Sequence, residues 1–477
     1  MKHKYLILNA FLFLSLAGCA MAPAPQRPSP ELPAAWSGVP AEGKAAPVER
    51  WWTLYGDAVL NALVEEALKH NQDLALAAAR VDEARALVQV TDSDRYPSVD
   101  ATAQGDRARS SARSSMPLPA GVPLERNTYR AQLNVSYELD LWGRLRSASD
   151  AARAELLAAR AAQETVRIAL TAQVVQSYYA LAALDAQIEA TKRTLALREQ
   201  NLALQRVREQ AGLISAFELK QLEAEAAAAR AQLPALERSR TAEELALAVL
   251  AGRSPRAILE GAVARAGESG AAPAPVVPEG LPSDLLLRRP DIVEAEQRLV
   301  AVNARIAQAR AALFPRIALT GYLGGESAAL GDLFIGPARI WQLAFALAQP
   351  IFQAGRLEAE IEARQARARQ AVAQYQKTVQ TAFQEVREAL SRQDRSREIF
   401  DAEGARAEAL AAAVKLARIR YDAGRASQIE VIDAERNLLA AELARIDALR
   451  ARRAAVADLV KALGGGWNGQ LPRETTQ

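Results

Sequence analysis

The sequence predicts a mostly helical α+β protein made of two copies of one module, each joining a strand pair to long helices. Three observations point there. The chain aligns with itself, long stretches lack proline and glycine, and in each half two alternating segments follow a helix-stopping proline. Asp73 to Pro97 matches Asp291 to Pro315 at equal spacing, with Arg80 against Arg298 and Tyr96-Pro97 against Phe314-Pro315. Beyond that, a constant offset of 212 residues pairs Gly143-Arg144-Leu145 with Gly355-Arg356-Leu357 and Ala211-Gly212 with Ala423-Gly424. The same offset pairs Ser215 with Ser427, Glu218 with Glu430 and Glu223 with Glu435.

Composition agrees. Half of the 477 residues are hydrophobic but only 5% are aromatic, and Ala, Leu, Glu, Arg and Gln dominate, as in long helices. A net charge of +3 with signs alternating along the helices argues against a nucleic-acid binder.

Residues 1–18 read as a signal peptide: Lys2 and Lys4, an apolar run from Tyr5 to Ala17, then Gly18. Leu16-Ala17-Gly18-Cys19 looks like a lipobox. Its chemistry needs a thiol to carry a diacylglycerol and a freed amine for a further acyl chain, and Cys19 is the only cysteine. Ala20 rather than Asp follows it, and by resemblance to sorted lipoproteins that favours the outer membrane. Residues 19–56 then form a lipid-anchored, largely irregular segment. No other stretch is apolar enough for a spanning helix, so a membrane crossing would use strands.

Repeat 1 covers residues 57–250. It opens with a helix from Asp57 to Arg95, which Pro97 stops. Strands follow at about 97–108 and 128–140, around an exposed loop, Arg109–Arg126, rich in Ser, Pro and Arg. Leu133, Val135 and Tyr137 alternate onto one face. Helix 144–209 contains no proline or glycine and would be about 100 Å long. Leu195 and Leu202, and Leu197 and Leu204, stand seven apart, a coiled-coil period. Gly212 turns the chain, and helix 216–250 returns with a stripe of Leu219, Leu222, Ala226, Ala229 and Leu233; Pro234 should kink it.

Residues 251–282, rich in Gly, Ala and Pro, read as an irregular linker. Repeat 2, residues 283–464, repeats the plan. A helix from Ser283 to Leu313 precedes strands at about 315–325 and 339–350, then helices 356–420 and 428–462 around Gly424. Residues 465–477 are a tail.

Four strands cannot close a barrel, and an open sheet leaves unpaired edges in lipid. The chain must pool strands with copies of itself. Three copies give a twelve-stranded barrel wide enough for a channel, continuing into a barrel of long helical hairpins. The fold expected is therefore a trimeric duct.

Several long words are recognisable in order: Trp51-Trp52, Tyr137-Glu138-Leu139-Asp140-Leu141-Trp142-Gly143-Arg144, Leu285-Leu286-Leu287-Arg288-Arg289-Pro290-Asp291, Val431-Ile432-Asp433-Ala434-Glu435-Arg436 and Ala462-Leu463-Gly464-Gly465-Gly466-Trp467. Through them the chain resembles the TolC-like outer-membrane factors, most closely the lipoprotein efflux subgroup of the OprM/NodT type. The resemblance covers nearly all of the mature chain. It implies a homotrimer in outer-membrane lipid, extending into the periplasm and docked on a periplasmic adaptor (membrane fusion) protein. It also implies an inner-membrane RND-type pump that delivers small toxic compounds such as drugs, dyes and detergents. A duct for type I protein secretion or for metal efflux shares the fold, and a lipid-anchored coiled-coil scaffold is the other class.

By the same resemblance the tips, with Gly212, Leu213, Ser215, Gly424 and Ser427, meet the adaptor. Locally, glycine ends one helix and serine caps the next. Ile429 and Asp433 match the family's closed-pore constriction; an ordinary surface pair between Asp433 and Arg436 is the alternative. The first repeat carries Gln221 in place of Asp433. Arg288-Arg289-Pro290-Asp291 reads as a helix start with local charge pairing, and Trp51, Trp52 and Trp142 as packing or interfacial residues. Two histidines, His3 and His70, and no zinc spacing, nucleophile elbow or phosphate loop leave no expected catalytic site, metal or cofactor beyond the lipid on Cys19.

Overall fold

The computed structural model describes residues 49–113, 115, 119, 121–261, 263–265 and 289–467. The signal peptide, Cys19, most of the linker and the end of the tail lie outside them. The chain forms two compact units. One comprises Val81–Ala159 and Glu294–Tyr375; the other comprises the described parts of Pro30–Arg80, Arg160–Val293 and Gln376–Gln477.

The first unit holds a four-stranded antiparallel sheet of β1 (Ser98–Arg109), β2 (Glu125–Glu138), β3 (Arg316–Ser327) and β4 (Arg339–Ala348), in that order. The two repeats meet at β2 and β3, where Leu133 lies opposite Leu323 and Glu138 opposite Ala318. β2 begins three residues earlier than the alternation suggests, because Arg109 and Glu125 still pair across the hairpin. Alternation sorts the side chains. One face carries Val99, Leu133, Val135, Leu323, Trp341, Leu343 and Phe345, all exposed, Trp341 at 73% and Leu343 at 79%. The other is polar: Arg130 pairs with Glu326, and Asn134 donates to Thr102 at 3.0 Å. Among the described residues, the outer edges of β1 and β4 have no partner strand.

The opening helix expected at 57–95 is two helices, α1 (Ala58–His70) and α2 (Gln72–Ser93). Asn71 makes the break. Its side chain accepts from the N–H groups of Asp73 and Leu74, capping α2, and its Nδ2 donates to the Leu250 carbonyl. Asp57 caps α1 through the N–H groups of Val59 and Leu60 and accepts the Tyr178 hydroxyl at 2.6 Å. Trp51, Trp52 and Tyr55, in a single 3-10 turn, are buried with Leu60, Val64, Tyr178, Tyr179, Leu247 and Val460 in the core of the second unit. Burial pushes the Tyr55 phenol well up, so it stays a neutral donor to the Arg453 carbonyl at 2.7 Å.

The long helices match in pairs. α3 (Arg144–Gln210) and α7 (Arg356–Asp422) each have 67 residues; α4 (Ala216–Leu250) and α8 (Gln428–Ala462) each have 35. Pro234 lies inside α4, which continues through it. Only one of the two leucine pairs turns inward: Leu202 is buried, whereas Leu197 and Leu204 stay half exposed. The linker is not irregular throughout. Ser254 caps and Pro255 opens a short helix, α5 (Pro255–Glu260), a sequence pattern that favours helix starts.

Pro290 opens α6 (Pro290–Ala311), and Arg289 before it does more than pair locally. Its buried guanidinium meets Asp291 at 2.8 Å, Glu385 of α7 at 2.6 Å and the Ala462 carbonyl at the end of α8 at 2.7 Å. Burial disfavours its charge, but the two carboxylates outweigh that and raise its pKa. Arg289→Gln should therefore cost about 3 kcal/mol, mostly by leaving two acids without their partner. A thermal midpoint unchanged from wild type would contradict this.

Candidate duct site

Two hairpin tips share one construction. Gly212 at φ 70° and Gly424 at φ 68° are left-handed. At the first tip the N–H of Leu213 reaches back to the Arg208 carbonyl at 2.8 Å; at the second, Arg425 reaches Arg420 at 2.8 Å. This closes each helix as a glycine C-cap does. Ser215 and Ser427 then form full capping boxes with Glu218 and Glu430. A Cβ on either glycine would meet nothing within 4 Å. The surfaces around them differ. Exposed apolar residues flank both, Val207 and Phe217 on the first and Ile419 and Ile429 on the second, but next to the glycine the first exposes Leu213 and the second Arg425.

Just behind the tips, the arms of each hairpin are tied at equivalent places. Arg206 pairs with Glu223 at 3.3 Å and Arg418 with Glu435 at 2.7 Å. Lys220 and then Arg206 hold the Glu223 carboxyl below the usual range. The hairpins also touch: Ile432 packs with Leu202, Leu222 and Ala226. Ile429 is 40% exposed. Asp433 pairs with Arg436 at 3.0 Å one turn on, both side chains more than half exposed, so the local ion pair is present. At the matching place Gln221 is more enclosed, and its Oε1 has no hydrogen-bond partner among the described residues. The two hairpins thus differ where a constriction is expected.

Trp142 is a packing residue. It stacks on Phe314 with ring centroids 5.0 Å apart and donates to the Pro315 carbonyl at 2.8 Å, joining the ends of the two repeats' strands. Among the described residues, no helix is long and apolar enough to cross a membrane, and no group of three or more His, Cys, Asp or Glu is placed to hold a metal ion.

A four-stranded sheet with one exposed apolar face and one polar face, in a chain that also folds two long helical hairpins, has the parts of a strand-spanning channel. The sequence model of the outer membrane efflux protein family matches residues 63–253 and 281–465. The chain belongs to that family. It is 38% identical over 471 residues to the outer membrane protein OprJ of Pseudomonas aeruginosa, covering 98% of this chain and 97% of that one. It is 36% identical over 481 residues to the toluene efflux pump outer membrane protein TtgC of Pseudomonas putida, covering 99% and 98%. It is 33% identical over 461 residues to the cation efflux system protein CusC of Escherichia coli, covering 95% and 97%. A crystal structure of CusC superposes with a TM-score of 0.82, at 32% identity over 94% of this chain and all of that one. This efflux protein is an outer-membrane protein, and its fold is that of the family's channels.

The sequence reading missed the two ion pairs that tie the hairpin arms. Their signal was available, since Arg206 and Glu223 recur at the 212-residue offset as Arg418 and Glu435.

Proposed function

We propose that this efflux protein is the passive exit duct of a three-part pump. Three copies close one barrel, and small toxic compounds delivered from the inner membrane leave through it. The observation that carries this is the sheet: four strands, an exposed apolar face, a polar face and two open edges. Such a sheet is stable in lipid only when copies of it close a ring. In that ring the polar face lines the pore, and cargo passes without chemistry, so the chain is a channel and not an enzyme.

The hairpin tips are the docking surface for a periplasmic adaptor, which couples the duct to a proton-driven inner-membrane pump of the RND type. Gly212, Leu213 and Ser215 present the first tip, with an exposed leucine after the glycine; Gly424 and Ser427 present the second, with Arg425 in that place. Cys19 carries the lipid that holds the amino end at the membrane. TtgC's name favours organic cargo. CusC's name is the observation that favours a second reading, metal ions. Deletion of the gene decides between them. Hypersensitivity to several unrelated drugs, dyes and detergents is expected; sensitivity confined to metal salts selects the second reading, and an unchanged panel sinks both.

Ile429 and Asp433 narrow the closed pore, three carboxylates near the axis favouring cations. Asp433→Ala should then raise the closed-state current of the channel in a planar bilayer and weaken its cation preference. A current equal to wild type leaves Asp433 as a surface partner of Arg436.

A further inference from the structure

At the foot of the sheet, a cavity of about 180 Å³ is lined by Arg144, Arg305, Arg316, Arg356 and Arg364 against one carboxylate, Glu360. All lie in the first compact unit. Three of the five arginines are answered. Arg144 makes two hydrogen bonds to Glu138 at 2.9 and 2.8 Å, Arg305 pairs with Glu155 at 3.0 Å, and Arg364 with Glu360 at 3.4 Å. The other two are not. Arg356 contacts the neutral amide of Gln353, and Arg316 pairs with no carboxylate among the described residues.

The duplication shows that this imbalance is specific to the second repeat. Arg144 and Arg356 are equivalent across the 212-residue offset. At the same offset from Glu138, the acid that answers Arg144, stands Pro350. Arg356 also opens α7, and the amino end of a helix carries partial positive charge. Two guanidiniums that hold no carboxylate stand beside a helix start, exposed to solvent around a half-open space with room for an oxyanion and its hydration water, and this favours an oxyanion over a cation or an apolar group.

We propose that this cavity binds one phosphate, sulfate or carboxylate group, held by the guanidinium forks of Arg316 and Arg356. Arg316 stands opposite Ala348 on the polar face of the sheet. If the ring proposed above forms, the site opens to the pore, and only this placement rests on that reading. The group then comes from a dissolved anion in the duct. The other source of the same chemistry is a phospholipid headgroup.

The full-length purified protein, titrated calorimetrically with inorganic phosphate against chloride at equal ionic strength, tests this. Short-chain phosphatidylglycerol forms the second arm. Phosphate binding that weakens about tenfold or more in Arg316→Gln/Arg356→Gln supports the site with a dissolved ligand. Binding of phosphatidylglycerol alone, with the same loss in the variant, supports the site with a lipid ligand. Silence in both arms, or equal affinity in wild type and variant, overturns it. Neither arginine holds a carboxylate, so the double variant leaves no acid unpaired; Arg316→Lys, which keeps charge without the fork, should bind with intermediate affinity. The particle mass on the same sample separates the two ideas. A monomer that binds phosphate sinks the ring and keeps the site, whereas a trimer that binds neither probe sinks the site alone.

Discussion

Gly252→Ala should leave little folded protein. Gly252 follows α4 in a left-handed conformation, φ 71°, with its N–H bonded to the Val249 carbonyl at 2.9 Å. An added Cβ would lie 2.1 Å from the His70 carbonyl oxygen, 2.3 Å from its carbon and 2.8 Å from the Asn71 nitrogen. These are backbone atoms at the junction of α1 and α2, so no side-chain rotation relieves the clash. That junction cannot withdraw freely either. Asn71 is bonded to the Leu250 carbonyl at 3.0 Å, and Arg253 is bound to Glu66 at 2.9 and 3.1 Å. Clash and backbone strain together should exceed about 4 kcal/mol, a large share of the stability of an ordinary domain.

The duplicate position supplies the control. Gly464 has φ 93°, but a Cβ there would sit 3.6 Å from the nearest atom, on Arg289. Gly464→Ala should cost only the conformational strain, about 1–2 kcal/mol. Membrane yield and thermal midpoint of the two variants check the pair, and equal losses would show that the contact with His70 is not what matters.

Gly424→Trp should fold and assemble yet abolish export. A side chain at Gly424 points into open space, so the folded chain bears only the cost of a left-handed non-glycine residue, about 1–2 kcal/mol. The indole instead occupies the surface on which an adaptor would dock. Gly424→Ala carries the same strain without the bulk and should export almost normally. Susceptibility of a deletion strain complemented with each variant, at matched protein levels, reads the difference. Full resistance restored by Gly424→Trp would remove the tip from the docking surface.

Periodicity made the four long helices legible almost to the residue, because 144–209 holds no proline or glycine, 356–420 holds only Gly404, and the glycine–serine tips mark their ends. The strands were legible from alternation, but the start of β2 was not. Glu125 joins only because Arg109 faces it across the hairpin. The split at Asn71 carried a local signal, an amide followed by Gln72 and Asp73, but the apolar pattern on both sides hid it. The threefold grip of Arg289 could not be read, since Glu385 and Ala462 are 96 and 173 residues away in the chain. The candidate tips stood out as repeats. The arginine cavity did not, because its members come from four separate segments that only the fold brings together.

The open edges of β1 and β4 have a genetic consequence. If each subunit's sheet must be completed by its neighbours, a copy that folds its sheet but carries a ruined tip still takes a place in the ring. In a cell making equal amounts of sound and tip-defective protein, only about one ring in eight is built from three sound copies. Tip mutations should therefore be dominant over wild type, whereas mutations such as Gly252→Ala, which remove the subunit before it can enter a ring, should be recessive.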